Sequence, residues 1–112
     1  MYKRTANIFK ALMHPVRLSI LEILRQGEQC VCHLEAVLGY RQAYISQHLK
    51  VLREAGLVED RRDGSRIFYR LTTTEVFDLV DSAVRLGGEV LYQPAIPSGR
   101  DCLCPNCTTG VS

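Results

Sequence analysis

Gln42-Ala43-Tyr44-Ile45-Ser46-Gln47-His48-Leu49-Lys50-Val51-Leu52-Arg53-Glu54-Ala55-Gly56-Leu57-Val58 is the stretch on which the reading of this chain turns. Ile45, Leu49 and Leu52 recur at i, i+4 and i+7, which lays one apolar stripe along a helix over residues 42–55. Gly56 closes that helix, as a residue free of the Cβ penalty at a helix end should. The period then changes to that of a strand. Residues 57–62 lead into Asp63-Gly64, a strong hairpin-turn dipeptide, and residues 65–71 return as the partner strand.

Working outward, the N-terminal side is helical. Residues 5–13 carry Ile8, Phe9, Leu12 and Met13 on one stripe, and His14-Pro15 breaks it. Pro15 suits the first turn of a second helix, which is apolar almost all round and stops at Gly27. A short third helix fits residues 31–38 and ends at Gly39. After the hairpin, Thr72-Thr73-Thr74-Glu75 offers a Thr-x-x-Glu capping box that would open a last helix running to about residue 92. Four helices, a β-hairpin and a helix make a mostly α chain with a hairpin wing, a winged helix-turn-helix. Residues 31–38 and 42–55, joined by Gly39-Tyr40-Arg41, form the helix-turn-helix pair.

Bulk properties narrow the function. A chain of 112 residues is short for a large core of its own, and a dimer would supply the missing apolar contact. No 18-residue apolar run and no signal peptide are evident, so a cytoplasmic location with reduced thiols is expected. The net charge is only +2, but it is unevenly spread. Between Arg41 and Arg70 seven Lys and Arg face four Asp and Glu, whereas the remainder carries seven against eight. All the excess positive charge therefore lies in the helix-turn-helix and hairpin, where phosphates would have to be met. No Gly-rich phosphate loop, His-Glu-x-x-His or nucleophile elbow appears, so an enzyme is not expected.

On the fourth helix, Gln42, Tyr44, Ser46, Gln47 and Lys50 stand off the apolar stripe, with the N-terminal half best placed for base edges. His48 suits a phosphate or water-mediated contact, and Arg61, Arg62 and Arg66 of the hairpin suit the backbone or an adjacent minor groove. Double-stranded operator DNA is the expected partner.

Three segments carry a family likeness. Ala11-Leu12-Met13-His14-Pro15-Val16-Arg17-Leu18-Ser19-Ile20-Leu21, Cys30-Val31-Cys32-His33-Leu34 and the run from Tyr44 to Val58 together resemble the ArsR/SmtB family of metal-responsive repressors, over residues 5 to about 92. The resemblance implies a homodimeric winged-helix repressor that holds a palindromic operator and is released by an effector, with the first and last helices at the dimer interface. Cys-Val-Cys resembles the pair used by arsenite-sensing and cadmium/lead-sensing members, departing from their pattern at His33, where an Asp commonly follows. The family's other common site, on the last helix, uses Asp and His; residues 75–92 hold no His.

The five cysteines fall in two groups, Cys30 and Cys32, then Cys102, Cys104 and Cys107 in a Pro-containing stretch set off as a Cys-rich tail, residues 93–112, from a DNA-binding and dimerisation domain of residues 1–92. An odd count at such close spacing argues for metal or redox chemistry over a disulfide framework. Cys104-Pro105-Asn106-Cys107 fits a thiolate knuckle. On a regular helix, positions i and i+2 point about 200° apart. Cys30 must therefore precede the third helix, or ligation must unwind its first turn. The expectation is a repressor released when As(III), Sb(III), Cd(II) or Pb(II) binds these thiolates, Zn(II) being a further candidate. Two alternatives share the fold: a repressor whose cysteines respond by oxidation, and a constitutive DNA-binding protein with a structural zinc.

Overall fold

A computed structural model of the chain describes residues 1–88; the boundary expected near residue 92 and the whole tail, with Cys102, Cys104 and Cys107, lie outside the described residues. The elements run α1 (Lys3–Leu12), α2 (Pro15–Leu24), β1 (Gln29–Cys30), α3 (Val31–Leu38), α4 (Gln42–Glu54), β2 (Val58–Asp63), β3 (Arg66–Leu71) and α5 (Val76–Gly87). The expected winged helix-turn-helix is thus present, with one addition. β1, only two residues long, pairs antiparallel with β3 and turns the hairpin into a three-stranded sheet of order β1-β3-β2. Two residues carry no readable alternation, which is why the period of the sequence does not reveal this strand.

The apolar stripe of α4 does what its spacing requires. Ile45, Leu49 and Leu52 are wholly buried, packed with Ile20, Leu21 and Ile23 of α2 and Leu34 of α3. Leu57, Val58 and Tyr69 extend this core under the wing, and Val76 and Phe77 close it from α5. The helix-turn-helix pair is set by Gly39, which ends α3 in the left-handed region at φ 75° and donates its N–H to the Glu35 carbonyl.

Two turn assignments shift. In the hairpin, Asp63 pairs directly with Arg66, so the two loop residues are Gly64 and Ser65, one position later than the Asp63-Gly64 expectation. Gly64 takes φ 63°, the positive value that the first position of a II′-type loop needs. The Thr72 capping box is not formed. The Thr72 hydroxyl donates instead to the Gly56 carbonyl, tying the end of β3 to the end of α4, and α5 begins only at Val76. α5 is then anchored by Arg25, whose guanidinium lies 4.2 Å over the Phe77 ring and pairs with Asp81 at 2.9 Å. The helix ends at Gly87; its expected extension to residue 92 lies outside the described residues.

Large apolar side chains remain uncovered on one set of helices. Phe9 of α1, Met13 just after it, Leu18 of α2, and Leu79 and Leu86 of α5 are exposed, Leu86 almost completely at 91%. α1 and α5 are the first and last helices that the resemblance assigned to a dimer interface; Leu18 adds a residue from α2. Among the described residues, no helix is long and apolar enough to cross a membrane.

Candidate nucleic-acid interface and dithiol

With its apolar stripe committed to the core, α4 turns Ala43, Gln47, Lys50 and Glu54 outward along one line, since these positions fall at i, i+4, i+7 and i+11. Gln42 and half-buried Ser46 flank that line on one side and Tyr44 on the other. Gln42, Tyr44, Gln47 and Lys50 are thus on the surface expected for them. Glu54 puts a carboxylate at the far, C-terminal end of that line.

The cations sort into two kinds. Arg53 pairs with Asp60 at 3.5 Å and Arg70 with Glu59 at 2.5 Å. Arg61 is drawn away from the wing's edge: its guanidinium meets the Glu28 carboxylate at 2.6 Å and stacks 4.6 Å over the Phe68 ring. That hydrogen bond holds the Glu28 carboxyl below the ordinary carboxylate range. Arg41, Lys50 and Arg62 have no ion pair among the described residues, and they bracket α4 and the wing from before, within and beyond. Arg41 is absent from the sequence-predicted set, because its place in the turn hides that it leads directly into α4. Arg66 is half-buried on β3, beside the cleft that the cysteines line.

His48 departs from its expectation. It lies on the side of α4 that faces α2, only 7% exposed, and cannot present its ring to a phosphate. Its Nδ1 accepts a hydrogen bond from Arg17 Nε at 3.1 Å, and the His14 and Tyr44 rings flank it. The helical wheel does carry this signal: positions 44, 48 and 55 share a flank that an adjacent helix can cover.

At the other end of the helix-turn-helix pair, the thiols are in contact. Cys30 is the N-cap of α3, with extended backbone (φ −80°, ψ 158°), and its Sγ accepts from the His33 N–H at 3.3 Å. It therefore precedes the helix, the first of the two arrangements that the i, i+2 spacing left open. The sulfurs of Cys30 and Cys32 are joined in a disulfide, contrary to the expectation of reduced thiols. The extended N-cap residue swings the first sulfur toward the second. Cys30 is buried and packs on Phe68, its cross-strand neighbour, while Cys32 is half-buried. A cleft of about 170 Å³ opens beside the pair, with Glu35, Gln42 and Arg66 on its walls. Burial lowers the affinity of His33 for a proton.

For a thiophilic ion, the described residues supply the two sulfurs of Cys30 and Cys32, and only once their bond is reduced. No group of three or more His, Cys, Asp or Glu side chains among the described residues stands ready to hold a metal. The other three expected ligands lie outside the described residues.

Comparison with known proteins now fixes the kinship. Residues 14–60 match the family of bacterial regulatory proteins, arsR family. The biofilm growth-associated repressor of Xylella fastidiosa (strain Temecula1) is 48% identical over 77 residues, which span 69% of this chain and 68% of that one. The chain belongs to the ArsR family. ArsR-family proteins are transcriptional regulators, so kinship places this chain among regulators and not among enzymes. Two solved structures place the fold. The homodimeric winged helix-turn-helix DNA-binding domain Mb0332 from Mycobacterium bovis is 35% identical, with a TM-score of 0.68, over 80% of this chain and 82% of that one. Reduced HlyU from Vibrio cholerae N16961 is 36% identical, with a TM-score of 0.65, over 74% and 87%. This ArsR-family chain therefore shares its architecture with a dimer that binds DNA and with a protein solved specifically in its reduced form.

Proposed function

We propose that this ArsR-family repressor holds operator DNA as a homodimer and loosens its grip when Cys30 and Cys32 are oxidised to a disulfide. The observation that carries this reading is the location of the sulfur–sulfur bond. It sits at the first turn of α3, the helix that supports α4, and on Phe68, whose opposite strand neighbour is Arg61. A change at Cys30 is thus one side chain from the wing and one helix from the reading face. In the oxidation, each thiol loses a proton and the pair gives two electrons to an acceptor, a peroxide or a low-molecular-weight disulfide. The cleft beside Cys32 offers an approach for such a reagent. Kinship supports the reading, since a relative is distinguished by being in its reduced form.

DNA is read by Gln42, Tyr44, Ser46 and Gln47, with Lys50, Arg41 and Arg62 on phosphates and Arg66 beside the loop at the tip of the wing. The exposed apolar residues of α1 and α5 supply the dimer contact, as the homodimeric relative supports.

The test uses a duplex selected from a random-sequence DNA pool by the wild-type protein. Its affinity is measured for reduced protein, for protein treated with diamide, and after re-reduction. Oxidation should weaken binding and re-reduction restore it. Cys30→Ser, which keeps an N-cap acceptor at α3, should bind in both conditions. Equal affinity of oxidised and reduced wild type would overturn the proposal. Titration of the reduced protein with Cd(II) and As(III) runs in parallel: a thiolate-to-metal absorption band accompanied by release of DNA, without any oxidant effect, would transfer the sensing role to an ion held by these cysteines and the tail.

A further inference from the structure

The redox reading leaves one buried cluster unused. His48 is an imidazole on the helix that meets DNA, yet it faces inward, and three elements converge on it. Arg17 of α2 donates from Nε to His48 Nδ1 at 3.1 Å. The same guanidinium donates from Nη1 to the Lys10 carbonyl at 3.2 Å, which also accepts from the Met13 N–H, and to the Ala11 carbonyl at 3.3 Å, two acceptors in the last turn of α1. His14, the N-cap of α2, accepts from the Val16 N–H through its own Nδ1 and sets its ring 4.4 Å from that of His48. Tyr44 stands edge-on to His48 with centroids 4.6 Å apart, and Tyr40 stands 5.0 Å from Tyr44. Both tyrosines are exposed, on the side of the helix-turn-helix that faces outward.

We propose that His48 is a positioning residue for DNA reading: its neutral Nδ1, gripped by Arg17, locks α4, with Tyr44 on it and Tyr40 in the turn before it, against α1 and α2, and protonation of His48 opens the lock. The inference rests on the reading of α4 as the DNA-contacting helix.

The chemistry of the two groups makes the lock depend on protonation. A guanidinium is only a donor, so Nδ1 must carry a lone pair and the ring proton must sit on Nε2. Nε2 is buried without a hydrogen-bond partner among the described residues. An imidazolium has an N–H at both positions, so its Nδ1 proton would point at the Arg17 N–H and the bond would become a repulsion. The titratable and charged groups facing His48 are Arg17 and His14 from α2 and Tyr44 from its own helix; α1 reaches it through Arg17 by backbone carbonyls. No carboxylate stands among these to welcome the added charge. Burial first, then His14 and Arg17, lowers the affinity of His48 for a proton, which keeps the lock closed at neutral pH.

The lock has an outcome opposite to ordinary electrostatics. Protonating a histidine on a DNA-binding protein adds positive charge and strengthens the attraction to phosphates. Here acidification should weaken specific binding. On the duplex selected by the wild-type protein, reduced wild type should bind about tenfold more weakly near pH 5.5 than near pH 7.5, the size of one lost charge-assisted hydrogen bond. His48→Asn places an amide oxygen near the position of Nδ1 and does not titrate, so it should bind at neutral pH as wild type does and keep that affinity in acid. His48→Leu should be weak at both. A separate readout needs no variant: the imidazole nitrogen shifts of wild type by NMR should show an unprotonated Nδ1 at neutral pH, and its protonation should coincide with the loss of affinity. Parallel pH profiles for wild type and His48→Asn, tighter wild-type binding in acid, or a proton resting on Nδ1 at neutral pH would each overturn the lock. Failure of the wild type to enrich any duplex would instead overturn the DNA reading, and the lock with it. Enrichment with a flat pH profile would remove the lock alone.

Discussion

α4 and the wing enter the sequence as one continuous basic segment, yet the structure uses their charges differently. Lys50 on α4, and Arg41 just before it, meet no acid among the described residues, while on the wing Arg61 and Arg70 are bound to Glu28 and Glu59. α4 keeps Lys50 outward and gives Arg53 to Asp60 of the wing, while the wing commits Arg61 and Arg70 to holding its own place and leaves Arg62 without an ion pair among the described residues. Counting charge along the chain therefore overstates the wing as a phosphate contact and understates it as a brace. α4, by contrast, is held chiefly by apolar packing, with His48 and Arg53 tied to Arg17 and Asp60, and it keeps Gln42, Gln47 and Lys50 exposed. The largest effects of substitution should follow that division.

The strongest way to break the comparison is to remove the packing under α4. Leu49 is wholly buried among α2, α3 and α4, so Leu49→Ala should cost about 2–5 kcal/mol in urea unfolding, from lost burial and the cavity left behind. Ile67→Ala, on the half-buried face of the wing, should cost clearly less. DNA affinity should fall with Leu49→Ala because the reading face loses its support. Equal costs at the two sites would mean that α4 and the wing are braced alike.

Next in size is base reading. Gln47 lies at the centre of the outward line of α4, and Gln47→Ala should weaken binding to the selected duplex by about 1–3 kcal/mol while leaving binding to random-sequence DNA almost unchanged. A uniform loss on both duplexes would reassign Gln47 to phosphate contact, the role proposed for Lys50.

How much of this could be read from the residues depends on range. The helices and the wing were legible because their signals are local: Ile45, Leu49 and Leu52 at helical spacing, Pro15 at a helix start, Gly39 at a helix end. What failed involved partners far apart in sequence. His48 reads as a polar position on a DNA-facing helix until Arg17, 31 residues earlier, is seen to claim it. Arg61 reads as a free cation until Glu28, 33 residues earlier, does the same. Thr72 has the spacing of a cap, but the Gly56 carbonyl offers its hydroxyl a competing acceptor across the fold. The cysteines were half legible. Their spacing allowed Cys30 to stand outside the helix or ligation to unwind its first turn; Cys30 stands outside, and nothing in the spacing specified that the two sulfurs would bond to each other. The acid response follows from the same long-range contact. His48 and His33 both bind a proton less readily in the folded chain than an ordinary imidazole, whose value is about 6.5. Stability from these groups is present in full above that value and is lost as pH falls below it, because the unfolded chain takes up the proton first. Thermal unfolding of wild type should therefore shift down between about pH 7.5 and pH 5.5, and His48→Asn should shift less.

The finest discrimination lies within the wing. Arg61 and Arg62 are adjacent, equally charged and both exposed, and sequence alone gives them the same role. With Arg61 committed to Glu28 and Arg62 open, Arg62→Ala should reduce the slope of log affinity against log salt by about one, the release of one counterion. Arg61→Ala should leave that slope unchanged. Acid then frees Arg61 as well. The Glu28 carboxyl is held below its ordinary range by Arg61, so the small stability of this pair is present above that range and is lost as pH falls through it. Glu28→Gln reproduces the protonated state at neutral pH and should release Arg61, steepening the salt slope by about one over wild type. Should Arg61→Ala and Arg62→Ala flatten the slope equally, both arginines reach phosphate, and the wing would be a clamp of the same kind as α4.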